Sequence, residues 1–148
     1  MFYPVVFDEE GPTVIASLPD LPGTHDEGAS RTEALERLCD AALVMIQSLI
    51  DDREEVPEPS PAEGRPLLAL PSQVWTKVLL YQTLRRKQWR KADLARALGI
   101  DQKGADRLLN LCHASRSHQI DAAFKALGTN LVPAVREVAY QQPPAHPS

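Results

Sequence analysis

The chain has 148 residues and a mass of 16.3 kDa, with 43% hydrophobic and 24% charged side chains, room for one ordinary domain or two very small ones. Thirteen prolines interrupt it too often for a plain helix bundle, and no apolar run reaches the ~18–20 residues that span a bilayer. The formal net charge of −4 conceals a split: residues 1–66 hold four Lys and Arg against fifteen Asp and Glu, net −11, whereas residues 67–148 hold twelve against five, net +7. An acidic half favours a basic partner and a basic half favours phosphate; the competing reading is two solvated surfaces of unequal composition.

The first segment reads as a strand in which Tyr3, Val5 and Phe7 alternate with Pro4, Val6 and Asp8. Glu9-Glu10-Gly11-Pro12 is turn chemistry, and Thr13 to Leu18 reads as the returning strand of a hairpin. Pro19-Asp20-Leu21-Pro22-Gly23 makes a second tight break, and Thr24 to Glu27 is a short third strand ended by Gly28. Three antiparallel strands leave one face needing a cover. Ser30-Arg31-Thr32-Glu33 then has the Ser-x-x-Glu form of a capping box, which satisfies backbone N–H groups at a helix start. Beyond it Leu35, Leu38, Ala42, Met45, Ile46 and Leu49 recur at helical spacing, with Glu36 and Asp40 on the opposite side. A helix from Arg31 to Ile50 would be roughly 30 Å long.

Asp51 to Arg65 changes character: it is acidic, carries Pro57, Pro59 and Pro61, and has Val56 as its only sizeable apolar side chain. Such a stretch is semi-extended and marks a domain boundary. Leu67-Leu68-Ala69-Leu70 reads as a short strand that adds to a sheet edge of this chain or of another. The remainder is helical by period. Ser72 is placed to cap a helix carrying Val74, Trp75, Val78, Leu79 and Leu84; further helices run from Lys91 to Leu98, stopped by Gly99, and from Gln102 to Leu109, capped by Asp101. Gln119 to Leu127 puts Ile120, Ala123, Phe124 and Leu127 on one face, a last helix starts at Pro133 and runs to about Tyr140, and Gln141 to Ser148 is expected as a disordered tail. Trp75 and Trp89 are expected as anchors of the helical core. The N-terminus has no basic stretch leading into an apolar run, so no secretory signal is expected. Cys39 and Cys112 make no disulfide framework, and both sit in helix-like apolar contexts. A cytoplasmic location follows.

The segment Trp89 to Leu109 has helix-turn-helix grammar. Ala95 is small enough for a close helix crossing, Gly99 permits a left-handed turn, and Ile100, Ala105 and Leu108 supply a shared apolar contact. Its Leu94-Ala95, Gly99 and Ile100 spacing resembles the Cro/phage-repressor type of motif, in which the second helix enters the major groove. Carried over by position, the base-facing candidates are Gln102, Lys103, Asp106 and Arg107; Gln pairs bidentately with adenine, and Arg or Lys with guanine. Arg90, Lys91, Arg96 and Arg116 are the candidates for phosphate. Two departures stand out: Arg90-Lys91 where that family prefers Thr-Gln, and Gly104 inside the second helix, at about 1 kcal/mol relative to Ala. The competing reading is a plain helical hairpin.

With its first half included, the chain resembles the HicB antitoxins of HicA–HicB toxin–antitoxin modules. The resemblance rests on the Tyr3-Pro4-Val5 opening, the hairpin into Leu18-Pro19-Asp20-Leu21-Pro22-Gly23, Thr24 to Gly28 leading into Ser30-x-Thr32-Glu33-Ala34, and the Pro57-x-Pro59-Ser60-Pro61 linker, over Tyr3 to Gly128. It implies an α+β fold: a small antiparallel sheet with one covering helix, like a truncated ribonuclease H, linked to an all-α helix-turn-helix domain. The expected divisions are 1–56 for the toxin-neutralising domain, 57–70 for the proline-rich linker and strand, 71–140 for the DNA-binding domain and 141–148 for the tail. The implied function is to mask a small basic messenger-RNA-cleaving toxin and to repress the module's own operator as a dimer or tetramer. Asp8, Glu9, Glu10, Asp20, His25, Asp26 and Glu27 are the candidates for the toxin, and Leu131 to Val138 or the Leu67 to Leu70 strand for self-association.

Enzyme readings fare worse. Asp8, Asp20, Asp26 and Asp40 suggest the metal carboxylates of a full ribonuclease H, but turn and helix-surface roles account for them. Cys112-His113 and His118 lack a second pair at zinc spacing, so neither metal nor cofactor is expected. The alternative function is a stand-alone regulator whose N-terminal domain senses a ligand; a nuclease, or an antitoxin that has lost its toxin, are weaker options.

Overall fold

A computed structural model describes residues 1–135 of the chain. The first half opens with strands β1 (Phe2–Pro4), β2 (Val6–Glu10), β3 (Thr13–Ser17) and β4 (His25–Gly28), followed by helix α1 (Arg31–Asp51). The opening segment is two strands rather than one. Val5 breaks it by donating its N–H to Pro66 O at 2.8 Å, so that β1 and β2 enter different sheets. Strand β5 (Leu67–Ala69) pairs antiparallel with β1, Tyr3 opposite Leu68, which assigns the Leu67 run to a sheet edge of its own chain. The other sheet has the order β2-β3-β4, all antiparallel.

Helix α1 covers that sheet. Ser30 accepts the Glu33 N–H at 3.1 Å, one half of the predicted capping box, while the Glu33 carboxylate pairs with Arg37 at 3.1 Å, and Ala34, Leu38, Ala42, Ile46 and Ile50 form the fully buried stripe. Leu35, Met45 and Leu49, expected in the core, pack on its flank and are half-buried. Gly28 is required where the helix starts. A Cβ there would lie 2.6 Å from Ala34 N and 2.9 Å from Glu33 Cβ, so only glycine lets β4 run directly under the first turn of α1.

Between α1 and β5 the chain forms no strand or helix, as its composition predicts, yet it is fastened at several points. Val56 is buried, Tyr3 Oη donates to Pro57 O at 2.7 Å, and Tyr81 Oη donates to Glu54 O at 2.5 Å. Burial raises the pKa of both phenols.

The second half comprises α2 (Ser72–Arg86), α3 (Lys91–Leu98), α4 (Gln102–Leu109) and α5 (Ser117–Ala126). Ser72 is the first residue of α2 rather than its cap; Pro71 holds the cap position and no side chain bonds there. Gly99 ends α3 with φ 65° and Asp101 caps α4 through Gly104 N–H at 2.8 Å, both as expected. Ala95 and Ala105 are buried at the crossing of these two helices, whereas Ile100 remains 37% exposed, lying over Gly104. Trp75 and Trp89 pack against the core half-buried, Trp75 edge-on to Phe2 at 6.0 Å. Cys39 is half-buried, while Cys112 is exposed in the turn after α4, where no helix face exists to bury it. Residues 131–135 form no helix, and the rest of the expected 133–140 helix and the tail lie outside the described residues.

Candidate functional site

Two surfaces carry the predicted residues. On the three-stranded sheet, alternation sends neighbours to opposite faces, and buried Ala16 marks the face under α1. Asp8 lies opposite Ile15, Ile15 opposite Glu27, and Ser17 opposite His25, so Asp8, Glu10, His25 and Glu27 share the face turned away from the helix. There Asp8 and Glu27 bracket Ile15, on the face that also carries Val6 at 42% exposure.

The other acidic candidates do not join them. Glu9 is on the α1 side, where Arg31 Nε donates to its Oε1 at 2.6 Å and the Arg31 guanidinium stacks 4.5 Å over Phe7. Asp26 lies opposite Ala16, with its Oδ1 accepting the Glu27 N–H at 2.8 Å. Asp20 is in the turn before β4 and holds Ser60 by two bonds, 2.8 Å from the backbone N–H and 2.6 Å from the hydroxyl. The expected set is therefore one open patch and three residues engaged elsewhere.

Helix α4 buries Ala105, Leu108 and Leu109 and turns Gln102, Lys103, Asp106 and Arg107 outward together. Its outer face is internally paired: Asp106 Oδ1 accepts Gln102 Nε2 at 3.3 Å and meets Lys91 Nζ at 3.3 Å. Arg90 and Arg116 are exposed at the N-caps of α3 and α5, and Arg96 is ion-paired with Asp93. At Gly104 a Cβ would lie 3.1 Å from the capping Asp101 Oδ1 and 3.2 Å from Ile100 Cδ1, a tight fit that those side chains would have to yield to by a few tenths of an ångström.

Sequence reasoning missed the residues that hold α4 in place. Lys77 has no exposed surface, and its ammonium donates to three carbonyls: Arg107 O at 2.8 Å, Asn110 O at 2.9 Å and His113 O at 2.5 Å. Burial lowers its pKa from 10.5 to about 8. Gln73 spans Ser115 N and O at 2.7 and 2.9 Å, and Gln47, from α1, spans Leu111 N and Leu109 O at 2.8 and 3.3 Å. A signal existed for the lysine: it sits between Val74, Val78 and Tyr81 on the apolar stripe of α2. Among the described residues no group of three or more His, Cys, Asp or Glu is placed to hold a metal ion, and no helix is long and apolar enough to cross a membrane.

Comparison with known proteins separates these readings. No family model matches the chain. It is 33% identical over 131 residues to antitoxin HicB 2 of Photorhabdus laumondii, spanning 88% of this chain and 94% of that protein. It is 31% identical over 132 residues to antitoxin HicB of Pseudomonas fluorescens, and 33% over 134 residues to that of Escherichia coli K12, again over 88% of this chain and at least 90% of each relative. The class is thus that of an antitoxin, and the protein is not an enzyme. The chain belongs to the HicB antitoxin family.

Proposed function

We propose that this protein masks a small basic messenger-RNA-cleaving toxin with its N-terminal half (1–56) and represses its own operon with a helix-turn-helix formed by α3 and α4. The observation that carries the reading is the placement of the two charge populations: Asp8, Glu10 and Glu27 on one open sheet face, and Lys103 and Arg107 with Gln102 on the outer side of α4. A cationic protein fits the first, while a helix with an outward polar edge and a buried apolar one fits a major groove. Lys91 and Asp106 neutralise each other in the free protein, so phosphate competes with Asp106 for that lysine on binding. Binding as a dimer or higher oligomer matches a two-fold operator, each α4 reading one half-site. Exposed Val132 (80%) and Val135 (101%) are candidates for that contact, whereas the inner edge of β5 is taken by β1. The cytoplasm is the compartment such a module requires.

The paired substitution Gln102→Ala with Arg107→Ala tests the division of labour. Retardation of the duplex upstream of its own reading frame should be lost while rescue of growth from the co-expressed toxin persists. Asp8→Lys with Glu27→Lys should do the reverse. Loss of both activities in either double variant contradicts the proposal.

A further inference from the structure

Three non-glycine residues of the described chain have a positive φ, and two of them, Arg53 (58°) and Gln88 (59°), line one cavity of about 720 Å³. Each follows a helix end of the same design. After α1, Arg53 N–H bonds Ile50 O at 3.1 Å and Glu54 N–H bonds Leu49 O at 2.8 Å; after α2, Gln88 N–H bonds Arg85 O at 3.1 Å and Trp89 N–H bonds Leu84 O at 2.9 Å. This arrangement places the left-handed residue where glycine is the default and any side chain is strained. The chain follows that rule elsewhere, with Gly99 (65°) closing α3 and Gly128 (72°) following α5. The exceptions are the two ends that face this cavity.

The cavity is cationic and adjoins the DNA-reading surface. Arg53, Arg85, Arg90 and Lys91 line it against one acid, Asp51, whose Oδ1 accepts Gln47 Nε2 at 3.0 Å; Gln102, at the start of α4, lines it too. Arg85 is fixed, its guanidinium donating to Arg53 O and lying 5.9 Å over the Tyr81 ring. We infer that this cavity seats the DNA backbone beyond α4, with Arg53 and Gln88 kept in strained positions because their side chains contact phosphate. Arg53 is one of four basic residues in the acidic half, so the track crosses from the basic half onto the end of α1. The inference rests on the DNA-binding reading above and extends its footprint. Because phosphate carries no base identity, these contacts strengthen operator and random duplex alike.

The test is a salt titration of affinity for the upstream duplex and for a random duplex, with the full chain and three variants. Arg53→Gly should raise the unfolding midpoint by about 2–4 °C, through relief of backbone strain, yet lower the slope of log K against log salt by about 1. The fold-loss should match on both duplexes. Arg85→Gln should lower the slope similarly, and Gln88→Gly should raise the midpoint and leave the slope unchanged. A lowered midpoint in Arg53→Gly, or slopes equal to wild type in both arginine variants, overturns the inference alone. Wild-type protein that retards neither duplex overturns the DNA-binding reading and this extension together.

Discussion

Lys77 shows how one side chain fixes the geometry that matters. An unpaired ammonium in an apolar interior is costly, and here it donates hydrogen bonds to three carbonyls at the end of α4 and just beyond it. Removing the amine takes the donor from His113 O, while Arg107 O keeps the Asn110 N–H and Asn110 O keeps the His113 N–H; a buried acceptor left unsatisfied costs about 1–3 kcal/mol. Lys77→Met, which also relieves the buried charge, should therefore destabilise the fold by about 1–3 kcal/mol in chemical denaturation. Protonation linkage gives an independent signature. With a folded pKa of about 8 against 10.5 when unfolded, the native state holds fewer protons than the unfolded chain between those values. Stability should rise with pH across that window, and the rise should be absent from the Lys77→Met variant once the two curves are subtracted. A difference curve flat from pH 7.5 to 10.5 would contradict the linkage. The sequence signals the burial of this residue through its place on the apolar stripe of α2, but not its three partners, which are backbone atoms 30 to 36 positions away.

At the scale of elements, what the sequence reveals is local chemistry. The Ser30 cap, the Gly99 stop and the Asp101 cap each depend on residues within a turn or two and stand where expected, and the α1 stripe keeps Leu38, Ala42 and Ile46 but is centred between Ala34 and Ile50. The misreadings are non-local. Alternation carries Tyr3 to Phe7 through as one strand, and only the bond from Val5 to Pro66, 61 positions away, splits it between two sheets. Gly28 reads as a strand terminator, but its necessity comes from the helix above it. Gly28→Ala would drive a methyl into the Ala34 amide and should cost about 1–3 kcal/mol, the usual range for overpacking; thermal or urea unfolding checks this, and a loss below 0.5 kcal/mol would mean α1 shifts freely over the sheet. The acidic candidates split for the same reason. Charge alone groups Glu9 with Asp8 and Glu10, and pleating sends it to the other side, onto Arg31.

At the scale of the molecule, one buried apolar cluster extends from Met1 to Leu127, and the segment between α1 and β5 adds Val56 to it. The sign change in charge along the sequence thus becomes a spatial arrangement on a shared core: open acids over β2, β3 and β4, and open bases along α4 and around the cavity beside it. Exposed charges attract at range and weaken with salt, so both proposed associations should be ionic-strength dependent while the fold is not. The most direct test is co-expression with a small basic toxin of the HicA kind, followed by purification through a tag on that protein at low salt. The account predicts a stoichiometric complex that dissociates as salt is raised and fails to form with Asp8→Lys and Glu27→Lys. Wild-type chain in the flow-through, with the tagged protein recovered alone and folded, would contradict it.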